Sequence, residues 1–475
     1  MLPPLNRHTA RLEVRFPERI IQFGGGNFLR GFVDWIVEHL NAQTDFAGSV
    51  VIVKPTPHGT YDALDAQDGL FHVRLTKAEA GQPVTQTSLI TCVSRTVNPY
   101  QDYDAYLQLA HQPAIRYIIS NTTESGIAFD PTVRFEDQPS ESFPAKLTAF
   151  LLERFQHFHG DMAYGCVVLP CELIEQNGDR LKAIVLQYAD LWRLPSGFAE
   201  WLNSGCMFCN TLVDRIVSGF PQDESAAIFQ SLGFEDRMLV QGEWYHSWVI
   251  EAPTQLASEL PFHRTPLNVK IVDDVRPYHT LKVRLLNGAH TSMVAPGLFL
   301  GCSTVRQAIE HHALGPFIRA LVFDEIVPTL NMPDAHTFAA AVLDRFQNPY
   351  IDHRLAAIAQ NSLSKIRTRL LPTLLIYGQQ GKIPTRIAFV AAAWIRFYAG
   401  EWQGQPLPIS DESEQAVWLR QLWASGNTPR DIARQVLSNR GLWGTDLTIL
   451  PGLADRIGSH LETLTPETIE NVLLG

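Results

Sequence analysis

Short apolar, β-branched runs alternate with amphipathic helical patterns over roughly the first 270 residues. Helical patterns such as NFLRGFVDWIVEHLN and AKLTAFLLERFQHF separate strand-like runs at RIIQFG (19–24), SVVIVKP (49–55), IRYIIS (115–120) and YGCVVLP (164–170). This alternation indicates parallel strands joined by right-handed crossovers. FHVRLT and LITCVS, which follow the second run, are predicted to form an antiparallel excursion.

The pattern changes after residue 270, where strand-like runs become rare and long helical patterns dominate. Segments such as GPFIRALVFDEIVPTL and HRLAAIAQNSLSKIRTRLLPTLLIYG repeat apolar residues at three- and four-residue spacing, as helices that face a core require. The stretch IVDDVRPYHT marks the change. We therefore predict an α/β, doubly wound Rossmann-type domain over 1–270 and a mostly α-helical substrate and catalytic domain over 271–475.

Composition narrows the classes of function. Apolar residues make up 45% and charged residues 18%, a globular balance, and the net charge of -11 argues against nucleic-acid binding. No apolar run reaches the roughly 20 residues of a membrane span, and the N-terminus lacks the apolar stretch of a secretory signal, so we expect a cytoplasmic protein. Cys206 and Cys209 form a single C-x-x-C pair, whereas a structural zinc site would need two such pairs, and His311/His312 is no better a candidate, so we expect reduced thiols and no metal.

A glycine-rich turn, QFGGGNFLRGF (22–32), follows the first predicted strand and opens the first helix. A dinucleotide pyrophosphate needs backbone N–H groups at a helix N-terminus with no side chain in the way. Gly24, Gly25 and Gly26 meet that need, and Asn27 and Arg30 could add hydrogen bonds. The same glycines also suit a plain tight turn, and the third glycine of the usual fingerprint is replaced by Leu29.

Two further features bear on the cofactor. SNTTESGI (120–127) leaves a predicted strand at the edge where the nicotinamide half of a cofactor lies, although these residues also suit a capped turn. The acid expected about 20 residues after the glycines is missing, because the second strand ends in Lys54, Pro55 and Thr56. The residues alone therefore leave NAD and NADP open.

Lys282, Asn287 and His290 lie within one strong helical pattern. At about 100° per residue, His290 lies about 80° and Asn287 about 140° from Lys282, so all three share one side of the helix. Ketone reduction needs a proton donor and groups that stabilise the developing alkoxide. A buried lysine, an asparagine and a histidine can supply these, although a surface lysine and a hydrogen-bonded histidine would fit the same pattern.

These motifs together resemble the polyol-specific long-chain dehydrogenases, the mannitol dehydrogenase family. The resemblance rests on G-x-G-x-F-x-R (Gly24, Gly26, Phe28, Arg30), VDRI at 213–216 and K-x4-N-x2-H at 282–290, and it extends from about residue 17 to about residue 400. The resemblance implies a Rossmann-type N-terminal domain and a mostly helical C-terminal domain. SNTTESGI, PCELIEQNGDRL and RFQNPYI are most similar to the family members that reduce keto-uronates.

The resemblance also implies roles for individual residues. Lys282 corresponds to the general acid/base, Asn287 to an oxyanion-hole residue and His290 to a substrate-orienting residue, with Asn177 as the candidate for a second oxyanion asparagine. The residues expected at the cofactor are Gly24, Gly25, Gly26, Asn27, Phe28, Arg30, Asn121, Thr122, Glu124 and Asp214. His279 stands where polyol-oxidising members carry a glutamate, which argues against mannitol.

A uronate substrate carries a carboxylate, so its pocket should hold a cation. LSKIRTRLLP supplies Lys365, Arg367 and Arg369, of which Lys365 and Arg369 share a helix face. Arginine can grip a carboxylate at two points, although a basic helix end is also common without a ligand.

The resemblance implies reversible, NADH-dependent reduction of a keto-uronate, tagaturonate to altronate, and we expect a monomer or small homo-oligomer. Fructuronate, mannitol and mannitol 1-phosphate are alternative substrates, and a non-catalytic dinucleotide sensor is a further alternative.

Overall fold

The computed structural model describes residues 2–79, 82–122, 126–348, 353–411 and 413–474. The chain divides into two compact units, 1–275 and 276–475.

A six-stranded parallel sheet forms the centre of the N-terminal unit. The strands of the unit are β1 Glu18–Phe23, β2 Ser49–Val53, β3 Phe71–Glu79, β4 Gln82–Ile90, β5 Val93–Val97, β6 Tyr117–Ser120, β7 Val167–Pro170, β8 Met207–Phe208, β9 Asn210–Asp214, β10 Val217–Gly219, β11 Val240–Glu243, β12 Ser247–Glu251 and β13 Val269–Val272. The order of strands in the parallel sheet is β5-β2-β1-β6-β7-β8. When these six strands are numbered along the chain, the order is 3-2-1-4-5-6, that of a doubly wound dinucleotide-binding fold, and the direction of winding reverses between β1 and β6.

Helices cover both faces of this sheet because its strands are apolar on both sides. Ile20 and Ile52 pack with helix Trp35–Gln43, while Ile21 and Val51 pack in a separate core with helix Phe143–His157. The helical segments of the unit are Asn27–Leu29, Arg30–Asp34 (π-helical), Trp35–Gln43, Asp62–Ala66, Tyr103–Gln108, Leu109–His111, Phe143–His157, Met162–Tyr164, Asn177–Leu191, Ser196–Ser204, Ser225–Leu232, Leu256–Glu259 and Phe262–Arg264.

Two smaller sheets, β10-β11-β3-β4 and β13-β12-β9, complete the N-terminal unit. The predicted antiparallel excursion exists, since β3 and β4 pair antiparallel, but LITCVS is not one strand. Its first residues end β4 and its last begin β5, which returns to the main sheet. The sequence pattern missed most of β4 because much of that edge strand is exposed and polar.

The C-terminal unit is mostly helical around a single apolar core. Its long predicted helix over 353–378 is interrupted, because Asn361 adopts a left-handed conformation (φ 51°) and a new helix begins at Leu371, with Pro372 in its first turn. A short hairpin, β14 Glu401–Trp402 with β15 Gln405–Pro406, is also present. The helical segments are Arg276–Leu281, Lys282–Asn287 (π-helical), Gly288–Phe299, Val305–Glu310, Leu314–Ala320, Leu321–Ile326 (π-helical), Val327–Thr329, Ala335–Phe346, Leu355–Ile358, Ser362–Arg369, Leu371–Gln379, Thr385–Phe397, Glu414–Ala424, Pro429–Ser438, Arg440–Trp443, Leu447–Ile449, Leu453–Thr463 and Ile469–Leu474.

The predicted fold class, a Rossmann-type domain followed by a helical domain, is confirmed. Within the described ranges, no helix combines the length and apolar character that crossing a bilayer requires.

Candidate active site

The glycine turn lies at the carboxyl edge of the parallel sheet, where β1 meets the first helix. Gly24 has φ 118°, a value that favours glycine, and its N–H donates to the carbonyl of Val53 at 3.0 Å. The N–H of Gly25 donates to the hydroxyl of Tyr61 at 2.9 Å. The turn is therefore held against β2 and the loop that follows it.

The next part of the turn has room for a phosphate. The N–H groups of Gly26, Asn27 and Phe28 have no acceptor within the described part of the chain. A Cβ added to Gly26 would meet no atom within 4 Å, whereas one added to Gly25 would lie 3.1 Å from the Tyr61 ring. Free backbone donors at a helix N-terminus beside open space fit a pyrophosphate.

Arg30 lies behind this turn, with its side chain directed at the protein. Its Nε donates to Gly25 O at 3.0 Å and its Nη2 to Asn27 Oδ1 at 2.8 Å, while Nη1 donates to the carbonyl of Met238. Burial lowers the pKa of Arg30 to about 10. Phe28 stacks on Phe32 with ring centroids 5.0 Å apart. Arg30 thus braces the turn, and Asn27 is its acceptor.

The loop after β6 reaches the same edge. A Cβ on Gly24 would lie 3.7 Å from the carbonyl oxygen of Asn121, so the two predicted cofactor segments meet. Buried Glu172, which follows β7, accepts from the Thr122 N–H at 2.9 Å and from the Ser120 hydroxyl at 3.0 Å. Sequence reasoning missed Glu172, although its place after a neighbouring parallel strand was a usable signal.

Glu124 and Asp214 are two other residues predicted to lie at the cofactor. Glu124 lies outside the described residues. Asp214 is the last residue of β9, half-buried and in register with Ser247 of β12.

Asn177 is buried, and its amide is taken up by the backbone. Its Nδ2 lies 2.9–3.1 Å from the carbonyl oxygens of Pro170, Glu172 and Thr211, and its Oδ1 accepts from the N–H of Gly178 and Thr211. No N–H of this amide is left for a substrate oxygen. The amide joins β7 to β9.

In the C-terminal unit, the run from Arg276 to Phe299 is helical but not α-helical throughout, because Lys282–Asn287 forms a π-helical segment. A π-turn closes from i to i+5 and rotates less per residue than an α-turn. The separation of about 140° calculated for Lys282 and Asn287 from α-helical geometry is therefore too large. The two residues lie one wide turn apart, closer to a common face.

Lys282 and Asn287 are half-buried. The side-chain amide of Asn287 has no hydrogen-bond partner among the residues that the structure describes, while its backbone carbonyl accepts from Arg369 at 3.5 Å. Asn287 therefore has amide hydrogens to offer to a ligand, in contrast to Asn177.

His290 is 7% exposed, and its buried Nε2 has no hydrogen-bond partner among the described residues. Its ring stacks on Phe346 at 4.4 Å between centroids and meets the His353 ring edge-on at 4.8 Å. Burial, followed by the charges of nearby basic groups, lowers the pKa of His290 well below its usual value. The basic groups are His353, Arg345, Arg369 and Lys365. His290 is therefore an uncharged imidazole at neutral pH.

Two of the three predicted carboxylate-binding cations belong to this neighbourhood. Lys365 donates to the carbonyl of Ile358 at 2.8 Å, and Arg369 donates to Thr291 Oγ1 at 3.0 Å. Burial lowers the pKa of Lys365, with a further contribution from Arg369, and burial lowers that of Arg369 to about 10. Neither has an acidic partner in the described ranges.

Arg367 lies elsewhere. It is exposed, and its Nη2 would be 3.0 Å from a Cβ on Gly444. Arg345 and His353, whose charges act on His290, were missed as site residues because they are distant from it along the chain.

One grouping of metal-ligand types occurs in the described part of the chain, at His311, His312 and Glu470. Nδ1 of His311 faces the N–H groups of Ala313 and Leu314 at 3.3 and 3.4 Å, which places the ring proton on Nε2. That Nε2 lies 3.7 Å from Glu470. A proton there directs an N–H towards the Glu470 carboxylate and leaves no lone pair on that nitrogen for a metal ion, and we propose no metal site.

The chain matches two domain families. Residues 18–264 match the mannitol dehydrogenase Rossmann domain, and residues 274–465 match the mannitol dehydrogenase C-terminal domain. Among solved structures, D-sorbitol dehydrogenase in substrate-free form has a TM-score of 0.82 at 20% identity, over 99% of this chain and 100% of that chain. The ternary complex of Pseudomonas fluorescens mannitol 2-dehydrogenase with NAD and D-mannitol has a TM-score of 0.69 at 20% identity, over 99% of both chains. These structures share the fold.

Relatives with higher identity extend along nearly the whole chain. The altronate oxidoreductase of Bacillus subtilis (strain 168) is 46% identical over 458 residues, covering 96% of this chain and 95% of that protein. The altronate oxidoreductase of Klebsiella pneumoniae (strain 342) is 44% identical over 459 residues, covering 95% of each. The chain belongs to the mannitol dehydrogenase family and is an oxidoreductase of CH–OH groups that uses a nicotinamide dinucleotide.

Proposed function

We propose that this protein catalyses the reversible, NADH-dependent reduction of the ketone of D-tagaturonate to D-altronate, in the cytoplasmic breakdown of hexuronates. Relatives at 43–46% identity bear the name altronate oxidoreductase, which supports this substrate.

The observation that carries the proposal is the pair of half-buried cations Lys365 and Arg369 beside His290. Both bind only neutral oxygens among the described residues, and burial lowers the pKa of both. Such cations are stabilised by a bound carboxylate, and arginine can bind one in a two-point fashion. A neutral ketose or polyol gains much less from them, so the pair favours a uronate.

The proposed chemistry uses side chains of the C-terminal unit. When bound, the reduced nicotinamide supplies a hydride to the ketone carbon. The Lys282 ammonium gives its proton to the ketone oxygen, so the carbonyl becomes an alcohol and the lysine becomes a neutral amine that regains a proton from solvent. The free amide of Asn287 stabilises the developing alkoxide. Uncharged His290 orients a substrate oxygen through its Nε2, which has no partner within the described part of the chain.

The proposed cofactor contacts are mainly with the backbone. The N–H groups of Gly26, Asn27 and Phe28 would hold the pyrophosphate, and Asn121 and Thr122 would lie along the nicotinamide half. Arg30 supports the turn through Gly25 and Asn27. Lys54, which follows β2, donates to the carbonyl of Pro57, and no acid follows β2 to bind the ribose hydroxyls. The preference for NADH therefore rests on the resemblance to uronate reductases.

The test is the rate of NADH and NADPH oxidation by the purified protein with tagaturonate, fructuronate, fructose and mannitol 1-phosphate under matched conditions. We expect the highest kcat/KM with NADH and tagaturonate, with fructuronate next because it shares the carboxylate. A higher kcat/KM with fructose would contradict the proposed substrate class. Binding of NADH without turnover of any of them would instead indicate a dinucleotide sensor.

A further inference from the structure

A cavity of about 450 Å³ lies within the C-terminal unit, among the helices Leu314–Ala320, Thr385–Phe397, Leu453–Thr463 and Ile469–Leu474. Its volume is within the range of small-molecule sites, about 300–1,000 Å³. It shares no lining residue with the groups around Lys282 and His290. The proposed reaction therefore does not account for it.

Part of the lining of the cavity is apolar. Phe317 and Phe389 meet edge-on with ring centroids 5.3 Å apart, and both are almost fully buried. Val472, Leu473 and Leu474 of the last helix also line the cavity, and Leu474 remains 59% exposed. A sugar acid, which carries a hydroxyl on most of its carbons, would leave those hydroxyls unpaired against such a wall.

Basic side chains also line the cavity. Arg386 Nη1 lies 3.5 Å from Asp324 and 3.9 Å from Glu325, so its charge is largely neutralised. Arg456 is exposed and has no acidic partner among the described residues. Burial, with a contribution from the nearby Arg456 charge, lowers the pKa of His460 to about 4, so this third basic group is uncharged at neutral pH. The excess positive charge at the cavity therefore belongs to Arg456.

We propose that this cavity binds an amphipathic organic carboxylate, with the carboxylate on Arg456 and the apolar body against Phe317, Phe389 and Leu473. Charge complementarity selects the head group, because Arg456 is a cation without an acidic partner in the described ranges. The apolar wall selects the body and excludes a hydrophilic acid.

The experiment is calorimetric titration of the full chain with octanoate, and with acetate and 1-octanol as probes that lack the tail or the charge. We expect octanoate to bind with a Kd of about 0.1 mM and both other probes to bind at least about tenfold more weakly. The variant Arg456→Gln should weaken octanoate binding by about tenfold or more, and Ala320→Leu should weaken it by filling the cavity.

Arg434→Gln is the matched control, because Arg434 is an exposed arginine of the same unit whose one side-chain partner among the described residues is Asp455, at 3.5 Å. It should bind octanoate like the unchanged protein. The proposal is overturned if no binding is detected at octanoate concentrations well above about 0.1 mM, if 1-octanol binds as tightly as octanoate, or if both Arg456→Gln and Ala320→Leu bind octanoate with an unchanged Kd. Circular dichroism establishes that each variant is folded.

Discussion

The glycine turn of the N-terminal unit and the Lys282 helix of the C-terminal unit use their polar groups in opposite ways. In the N-terminal unit, the Arg30 side chain and the Asn177 amide are bonded to the protein, and the turn leaves backbone N–H groups without an acceptor among the described residues. Around Lys282, the groups without a partner in the described ranges are side chains, namely the amide of Asn287 and Nε2 of His290.

This difference suits the two ligands. Every molecule of a dinucleotide presents the same pyrophosphate, which a fixed backbone can hold. A substrate must be distinguished from similar sugars and must also react, and both tasks need side-chain charge and donors. Side-chain changes should therefore affect catalysis in the C-terminal unit but stability or cofactor affinity in the N-terminal unit.

The largest effect is expected for Lys282→Ala. Loss of the proton donor should lower kcat by about 100- to 10,000-fold, while the Kd for NADH, measured by fluorescence titration, stays unchanged. Exposed Lys382, replaced by Ala, is the control and should keep full activity. A Lys282→Ala variant with a nearly normal kcat would remove lysine from the mechanism.

The two asparagines provide the sharpest contrast between the units. Asn287→Ala should lower kcat by about 100- to 1,000-fold without a change in Tm, because its free amide acts on the alkoxide. Asn177→Ala should instead reduce the free energy of unfolding by about 1–3 kcal/mol, since it leaves buried backbone groups unpaired. Steady-state kinetics and thermal unfolding of both variants measure this, and the reverse pattern would refute the contrast.

A smaller effect is expected for the open glycine of the turn. Gly26→Ala places a methyl group in space that is empty in the protein, so Tm should not change, but the KM for NADH should rise by about tenfold. Gly25→Ala is the comparison, because its methyl would press on Tyr61 and lower Tm. An unchanged KM for NADH in Gly26→Ala would mean that the pyrophosphate binds elsewhere.

A separate prediction concerns the pH dependence of stability at Asp34, in the first helix. Asp34 is fully buried, one of its oxygens has no hydrogen-bond partner among the described residues, and burial raises its pKa to about 7. The folded protein therefore keeps this proton up to about pH 7, while the unfolded chain releases it near pH 3.9, so Asp34 makes the free energy of unfolding fall as pH rises between them. Asp34→Asn should remove up to about 1.4 kcal/mol per pH unit of that fall. Urea unfolding across this range measures it, and parallel curves for the two proteins would contradict the assignment.

Much of the architecture could be predicted because it rests on local patterns. The alternation of buried runs with helical periodicity indicated the parallel sheet, and the spacing of Lys282, Asn287 and His290 indicated a helix. The π-helical segment could not be predicted, because its i to i+5 turn has no signature in residue spacing. The breaks at Asn361 and before Pro372 were missed because the apolar periodicity continues across them.

The environment of the candidate site was less predictable, because it depends on contacts between distant segments. Periodicity separated Arg367 from Lys365 and Arg369, and the structure places Arg367 at Gly444. Periodicity could not reveal that Arg345 and His353 help to lower the pKa of His290, or that the Asn177 amide is hydrogen-bonded to the backbone of β7 and β9. The catalytic and substrate-binding roles of Lys282, Asn287, His290, Lys365 and Arg369 remain predictions.

The central claim is that Lys365 and Arg369 of the C-terminal unit, which have no acidic partner in the described ranges, select a substrate with a carboxylate. The most direct test is the ratio of kcat/KM for tagaturonate to that for fructose, measured for the unchanged protein, for Arg369→Gln and for the control Arg367→Gln. Arg369→Gln should lower the ratio by about 10- to 100-fold, mainly through the KM for tagaturonate, and Arg367→Gln should leave it unchanged. An equal loss with both substrates, or no loss, would contradict the claim.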